Sequence, residues 1–430
     1  MRISVTGAGY VGLVTATALA SKGHNVIVVD TDGNKINSIQ KGKSPISEEG
    51  LDELLADCIR REYLKATCGY NEIVNTSATL ICVGTPSNSD GSIDLSYIID
   101  SAEGIGRMLG KKSERHTVIV RSTVIPGTTT EVIIPALEKY SSKKSQVDFD
   151  IAVNPEFMQE GRALHCFFNP DRIIIGEEEQ RAGDIVAGLY RGISAPIVRT
   201  NITTAEMIKY ASNAFLSTKI SFINEIGNIC KKLGVDVYEV AKGISFDYRI
   251  GDRFLNAGVG FGGSCLPKDL QALVQASRKL GYKAPLLQSV LDVNDNQISS
   301  MLQMVEQKLG DLQGKKVCIL GLAFKPNTDD IRNAPALKAI ELLVKKGALV
   351  RTYDPQAMPN AKCVLLESAE IKYCNSATEA VSDCDCILVL TEWSQFKEES
   401  LYYGKTVFDG RRVLDPQKAR TFCDYQGIAW

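Results

Sequence analysis

Two doubly wound α/β domains joined by a helical middle are predicted by three features of the sequence. Val/Ile-rich runs without polar alternation recur between helix-patterned segments, which suits parallel sheets covered on both faces. From Thr203 to about Lys232 that rhythm stops, and apolar residues recur at three- and four-residue steps without a proline. The strand-helix rhythm then returns in the last quarter of the chain. At 430 residues the chain exceeds one ordinary core. The boundaries expected are 1–200, 201–310 and 311–430.

In order, the first domain's strands read RISVTG (2–7), NVIVVD (25–30), TLICVG (79–84), HTVIVRS (116–122), FDIAVN (149–154) and RIIIG (172–176). The middle opens on TTAEMIKYASNAFLSTKISFINEIGNICKK, one long connecting helix, and continues in helices to about residue 310, interrupted at Gly260–Ser264. The last domain's strands read KKVCILG (315–321), ALVRTYD (348–354), CDCILVL (384–390) and KTVFDG (405–410).

Composition narrows the partners. With 44% hydrophobic and 23% charged residues and a formal net charge of -2, the chain has no electrostatic case for nucleic acid or an anionic membrane. No apolar run reaches the length of a membrane span, and MRISVTG opens directly into a strand without a signal peptide, so a cytoplasmic protein is expected. The 12 cysteines are scattered, several within apolar strands, as buried thiols of a reducing compartment would be. Three histidines lie far from one another and from other ligand types, so no metal site is expected.

GAGYVG places Gly7, Gly9 and Gly12 between a strand and a helix starting near Tyr10 and Val11. That spacing serves a tight turn, close approach of backbone to a pyrophosphate, and close helix-strand packing, in a Rossmann-like domain. Asp30 ends the next strand, where a carboxylate would bond ribose hydroxyls and repel a 2′-phosphate, favouring NAD over NADP; Lys35 could soften that choice. Thr85 in CVGTPS and Thr123 in RSTVIPGT follow strands, at the ends that line a ligand crevice, though either hydroxyl could cap a helix.

In GFGGSCLPKDL, glycines let backbone approach a ligand, and Cys265 precedes Pro267, a residue suited to the first turn of a helix. A thiolate there is favoured by the helix dipole and by Lys268. Lys209 and Asn213 in AEMIKYASNAF share one helix face, on a segment that reads as a buried connector, where a lysine needs a carboxylate or a ligand. NPEFMQEGRA puts Glu156 and Glu160 just past a strand end, a placement that suits a site and simple loop solvation equally.

Together GAGYVG, GTPS, RSTVIPGT, NPEF, EMIKYASNAF, GFGGSCLPKD, GLAFKPNTDDIR and FDGRRVLD resemble the UDP-glucose 6-dehydrogenase family over essentially the whole chain. The resemblance implies four-electron oxidation of a nucleotide sugar's C6 alcohol to the acid, using two NAD per substrate. It makes Cys265 a nucleophile that carries a thiohemiacetal and then a thioester, with Lys209 and Asn213 facing the reacting carbon and Asp269 assisting water or proton transfer. Glu156 is the implied acid/base of thioester hydrolysis, with a water held by Thr123. Phe254, Leu255 and Gly262 would cradle the uridine and sugar, Lys325 and Arg412 would meet the nucleotide sugar, and Glu160 and Arg332 would lie on the NAD side. Arg249 would reach the neighbouring subunit's substrate, implying a homodimer. KSERHTVIVRSTV and GGSCLPKD also suit the GDP-mannose branch, whereas DYRIGDRF and FDGRRVLD look like the UDP-glucose type. A simple two-electron dehydrogenase and a non-catalytic nucleotide-sugar or NAD-binding regulator are the competing readings.

Overall fold

All the strands predicted from the sequence form, and each of two sheets gains a further strand at both edges. The computed structural model describes residues 1–430, which divide into two units, Met1–Ser212 and Asn213–Trp430.

The first unit runs β1 (Arg2–Thr6), α1 (Tyr10–Ser21), β2 (Asn25–Val29), α2 (Gly33–Gln40), α3 (Leu51–Arg60), β3 (Leu64–Thr67), β4 (Ala78–Ile81) and α4 (Ser96–Leu109). It continues through β5 (His116–Val120), α5 (Ile134–Ser141), β6 (Phe149–Val153), α6 (Ala163–Phe168), β7 (Ile173–Glu177), α7 (Gln180–Leu189) and β8 (Ile197–Thr200). The sheet order is β3-β2-β1-β4-β5-β6-β7-β8. Alternate residues feed two cores: Ile3, Val5 and Ile119 pack with α1, whereas Val118 and Val120 pack with Ile98 and Leu137. Burial of both faces is why these strands carry unbroken apolar runs.

One feature departs from the expected all-parallel sheet. β6 and β7 pair antiparallel, with Val153 opposite Gly176, and β8 then follows β7 in parallel. The connection from β6 to β7 carries the short α6.

The long helix α8 (Ile202–Leu233) forms without a break across the division between the units. The second unit then holds α9 (Val237–Ser245), α10 (Leu266–Lys279) and α11 (Pro285–Leu309). After these come β9 (Lys316–Leu320), α12 (Pro335–Lys345), β10 (Leu349–Tyr353), α13 (Met358–Val364), β11 (Ile371–Tyr373), α14 (Ala377–Ser382), β12 (Cys386–Val389), β13 (Thr406–Asp409), α15 (Pro416–Ala419) and β14 (Asp424–Gly427). The order β11-β10-β9-β12-β13-β14 is parallel throughout. Ile223 and Cys230 of α8 and Met301 and Val305 of α11 share one core with Val317 and Ile319. A smaller core, including Ala214, Leu270, Val274 and Val290, binds α8 to α10 and α11.

In each sheet the strand order reverses once, between β1 and β4 and between β9 and β12. Ligand crevices of doubly wound sheets open at the carboxyl ends of such strand pairs. No helix is long and apolar enough to cross a membrane.

Candidate active site

The glycine turn sits at the first reversal. Gly7 follows β1 with φ +93°, and a Cβ there would lie 2.7 Å from the Cys82 carbonyl oxygen, just past β4. A Cβ on Gly12 would come within 1.8 Å of the Gly7 carbonyl oxygen, so α1 closes directly on the turn. Gly9 differs: nothing lies within 4 Å of where its Cβ would point. Two glycines are thus required by packing and the third faces open space at the start of α1, where a pyrophosphate would be held. Asp30 accepts from the Ala8 N–H at 2.6 Å and the Asp32 N–H at 2.9 Å, yet keeps part of its surface in solvent. Asp32 caps α2 through the Asn34 and Lys35 amides. These residues fit a dinucleotide.

The loop after β6 forms the acidic part of this unit. Glu156 and Lys209 are both buried, with Lys209 Nζ 3.1 Å from Glu156 Oε1, so the carboxylate that the lysine requires is this one. Glu156 Oε2 also accepts from the Met158 N–H at 2.5 Å. Burial pushes the Glu156 carboxyl up, but the Lys209 ammonium, the Met158 N–H and the Arg121 guanidinium together hold it below the usual range. Arg121 is itself buried; its guanidinium donates to Thr15 Oγ1, Asn154 Oδ1 and the Tyr190 hydroxyl at 3.1, 2.6 and 2.8 Å. Thr85 Oγ1 donates to the Thr123 carbonyl at 3.0 Å, which joins the two crevice loops. Glu206, also on α8, accepts from the Gly127 and Thr129 amides at 2.6 and 3.0 Å and fixes the loop that Thr123 begins. Glu160 is half-buried in the same loop as Glu156.

The second unit holds Cys265, the candidate nucleophile. Cys265 is exposed and occupies the position that caps α10, with Pro267 in the first turn. Asp269 is buried one turn on, and its N–H donates to the Cys265 carbonyl at 2.9 Å. Its carboxylate accepts from Asn213 Nδ2 at 2.6 Å and from Lys268 Nζ at 2.5 Å. The preceding glycines are pinned to another loop: Gly263 N–H donates to the Arg332 carbonyl at 2.8 Å, and a Cβ on Gly262 would lie 2.4 Å from the Asn333 carbonyl oxygen. Arg332 pairs with Asp330, and Lys325 Nζ stands 5.4 Å from the Phe324 ring centre, so Gly262, Lys325 and Arg332 meet in one loop cluster. Leu255 is buried, while Phe254 is part-exposed and left-handed at φ +63°.

Arg249 stands apart from that cluster, exposed and paired with Asp247. Arg412, with φ +50°, makes a two-pronged ion pair with Asp236 at 2.6 and 2.7 Å and lies 4.3 Å from the Tyr238 ring centre. Its guanidinium is committed there. Its neighbour Arg411, which the sequence reading passed over, donates from Nε to the Leu390 carbonyl at 3.0 Å and leaves a buried Nη2 with no hydrogen-bond partner. Adjacent arginines in one motif give no signal of which is spoken for. No cluster of three or more His, Cys, Asp or Glu side chains has metal-holding geometry.

A glycine cradle at the reversal of a doubly wound sheet defines a dinucleotide-binding domain, of the class that dehydrogenases use. Three descriptions of one family match in register: the NAD binding domain over residues 1–194, the central domain over 203–296 and the UDP binding domain over 318–416. The chain belongs to the UDP-glucose/GDP-mannose dehydrogenase family. It is 43% identical to a UDP-glucose 6-dehydrogenase of Haloferax volcanii, with 100% of both chains covered. A GDP-mannose 6-dehydrogenase of Pseudomonas savastanoi is 40% identical, covering 96% of this chain and 95% of that one. The solved UDP-glucose dehydrogenase of Pyrobaculum islandicum superposes with a TM-score of 0.95 at 40% identity, covering 100% of this chain and 98% of that one.

Proposed function

We propose that this protein oxidises UDP-glucose to UDP-glucuronate in two steps, with Cys265 holding the half-oxidised sugar. Bound NAD accepts a hydride in each oxidation. The C6 hydroxyl loses a proton as the alcohol becomes an aldehyde, and the Cys265 thiolate adds to that carbon to give a thiohemiacetal. Loss of the second hydride leaves a thioester; water attacks it, the C–S bond breaks, and the carboxylate and thiol are released.

Each role has a physical support. The start of α10 favours a thiolate at Cys265. Lys209 and Asn213 supply an ammonium and an amide N–H to a developing oxyanion. Glu156, ionised beside Lys209, is poised to take a proton from the attacking water, and Thr123 to hold that water. Asp269 fixes Asn213 by accepting from its Nδ2 at 2.6 Å. Phe254, Leu255, Gly262 and Lys325 receive the nucleotide sugar, and Arg411 takes the place expected for Arg412. Asp30 and Lys35 meet the adenosine ribose, while Glu160 and Arg332 face the nicotinamide side. The choice of UDP-glucose rests on DYRIGDRF and FDGRRVLD, and on the relative of that name at 43% identity.

The observation that carries the reading is Cys265, an exposed thiol at the cap position of a helix whose buried Asp269 bonds Asn213. Incubation with NAD and a panel of UDP- and GDP-sugars tests it. Two NADH per UDP-glucose are expected from wild type, and Cys265→Ser loses acid formation. One NADH per sugar, or undiminished turnover by the variant, would end the thioester scheme. Turnover of GDP-mannose alone would move the substrate to the other branch. Arg411→Ala should raise KM for the sugar more than tenfold, while Arg412→Ala leaves it within about threefold; the reverse order restores Arg412.

A homodimer working in the cytoplasm completes the proposal. Arg249 lies among exposed Phe246, Tyr248 and Ile250, and Phe215, Phe222 and Ile229 form an exposed apolar row at seven-residue steps on α8. Cys58, Cys82 and Cys318 are buried thiols. Light scattering on the purified protein should return twice the chain mass, and Phe222→Glu should reduce it.

A further inference from the structure

Glu48 lies between α2 and α3, in the segment SPISEEG, and no part of the proposed chemistry uses it. Its carboxylate reaches far along the chain. Oε2 accepts from the Gly161 N–H at 2.9 Å, and Oε1 from the Ala163 N–H at 2.5 Å and the Leu164 N–H at 3.3 Å. Ala163 and Leu164 open α6, and Gly161 lies in the turn before it; the residue preceding the helix, Arg162, offers no side-chain cap. The Gly161 N–H is shared with the hydroxyl of Tyr10, the residue at the start of α1 inside the glycine motif. The bonded turn is the downstream end of the loop that begins at Pro155 and carries Glu156, Met158 and Glu160.

Two segments of the dinucleotide-binding half, one from α1 and one following α2, therefore hold the same short turn through a hydroxyl and a carboxylate. Upstream, the loop is held by Asn154, whose Nδ2 donates to the Ile174 carbonyl at 2.8 Å. Between those anchors Glu156 keeps its orientation through Lys209 and the Met158 amide. A carboxylate accepting three backbone N–H groups is a strong and directional tie, since each bond is charge-assisted.

We propose that Glu48 is a positioning residue for Glu156: it clamps the turn at Gly161–Leu164 to the cofactor half, so that the loop bearing the hydrolytic acid stays in register when NAD enters and leaves. The inference rests on the proposed role of Glu156 in thioester hydrolysis. Loss of the clamp leaves the first oxidation intact and slows release of the acid, so the acyl-enzyme on Cys265 accumulates.

The test compares wild type, Glu48→Ala, Glu48→Gln and, as a control, Glu49→Ala at the exposed neighbouring acid, using NAD and UDP-glucose. Hydrogen exchange should show the Gly161, Ala163 and Leu164 amides at least tenfold less protected in Glu48→Ala, partly restored in Glu48→Gln, and unchanged in Glu49→Ala. Intact mass during turnover should show a sugar adduct on Cys265 in Glu48→Ala at several times the wild-type level, with kcat and KM for UDP-glucose both down about tenfold and kcat/KM within about twofold. If Glu48→Ala fails to fold, Glu48→Gln still has to show the intermediate loss of protection and of kcat. Unchanged exchange in these amides, or a wild-type kcat without adduct in a folded variant, overturns the inference. A wild type that makes no NADH from UDP-glucose sinks the functional reading instead, and the exchange result still decides whether the clamp exists.

Discussion

The two sheets share one strand order around their reversals but have opposite fates at the crevice. In the first, Gly9 leaves open space and Asp30 accepts two amides while staying partly in solvent. In the second, the matching acid after β10 is Asp354, fully enclosed. It accepts from the Leu322, Ala323, Gln356 and Ala357 amides and from Trp393 Nε1, at 2.7 to 3.0 Å. Gly321 at φ +97° matches Gly7, with Thr391 2.4 Å from where its Cβ would go, but the place of Gly9 is taken by Ala323, which is buried and whose N–H Asp354 has already bound. One crevice keeps its donors and its acid for a ligand; the other has used them to tie its own loops. The family's NAD binding description falls on the first sheet and its UDP binding description on the second. The same topology therefore does not imply the same ligand.

The comparison breaks most readily at its acids. Asp354→Ala strands several buried N–H groups and should lower stability by about 3 kcal/mol in urea unfolding, or prevent folding. Asp30→Ala strands one buried N–H, that of Ala8, so it should lower stability by only about 1 kcal/mol and weaken NAD binding about tenfold by titration, with selectivity against NADP reduced. Equal stability losses from both substitutions would dissolve the distinction.

The glycines sharpen it at a smaller scale. Gly9→Ala meets no neighbour and has no left-handed requirement, so the melting temperature should hold, while NAD affinity falls about tenfold, equivalent to ~1.4 kcal/mol. Gly321→Ala should show the reverse: a destabilised fold without a specific loss of NAD binding in whatever protein stays folded. A Gly9→Ala variant that binds NAD normally would mean the cofactor's phosphates lie elsewhere.

Much of this contrast was hidden in the sequence, and the reasons are physical. Every strand the sequence reading omitted is a sheet edge: β3 (LKAT), β8 (IVRT), β11 (IKY) and β14 (DYQG). Edge strands are short and half-exposed, so they lack the continuous apolar run that marked the central ones. The reversed direction of β7 was invisible because a strand's composition carries no sign. The glycine motif, the capping cysteine and the long helix were legible because each is a local pattern with a local cause. Glu48 and Arg121 were not, since their partners lie far along the chain and an acid or base in a loop reads as solvation. Asp354 looks like Asp30 in sequence, and only burial separates them.

Titration exposes the last difference between the sheets. In the first, His116 of β5 is buried in a polar chain: its Nε2 lies 2.8 Å from Thr79 Oγ1, which bonds Ser4 Oγ at 2.7 Å, and its Nδ1 lies 3.1 Å from the Thr76 carbonyl. Burial, with the nearby Lys112, pulls its pKa down to about 3 from 6.5. The unfolded chain therefore takes up this proton first as pH falls through 6.5, and the folded state loses stability progressively down to about 3. In the second sheet, burial raises the pKa of Asp409, so there the folded state takes up the proton first and acid favours it as pH falls through that raised value. The His116 share of the loss between pH 7 and 6 is below about 1 kcal/mol, and it steepens further down. Urea unfolding of wild type and His116→Gln across pH 7 to 5 should show a lower absolute stability but a shallower pH slope in the variant. Parallel slopes would mean that His116 takes up its proton as readily in the folded protein as in the unfolded chain, and that the first sheet tolerates charge where the second accommodates a neutral acid.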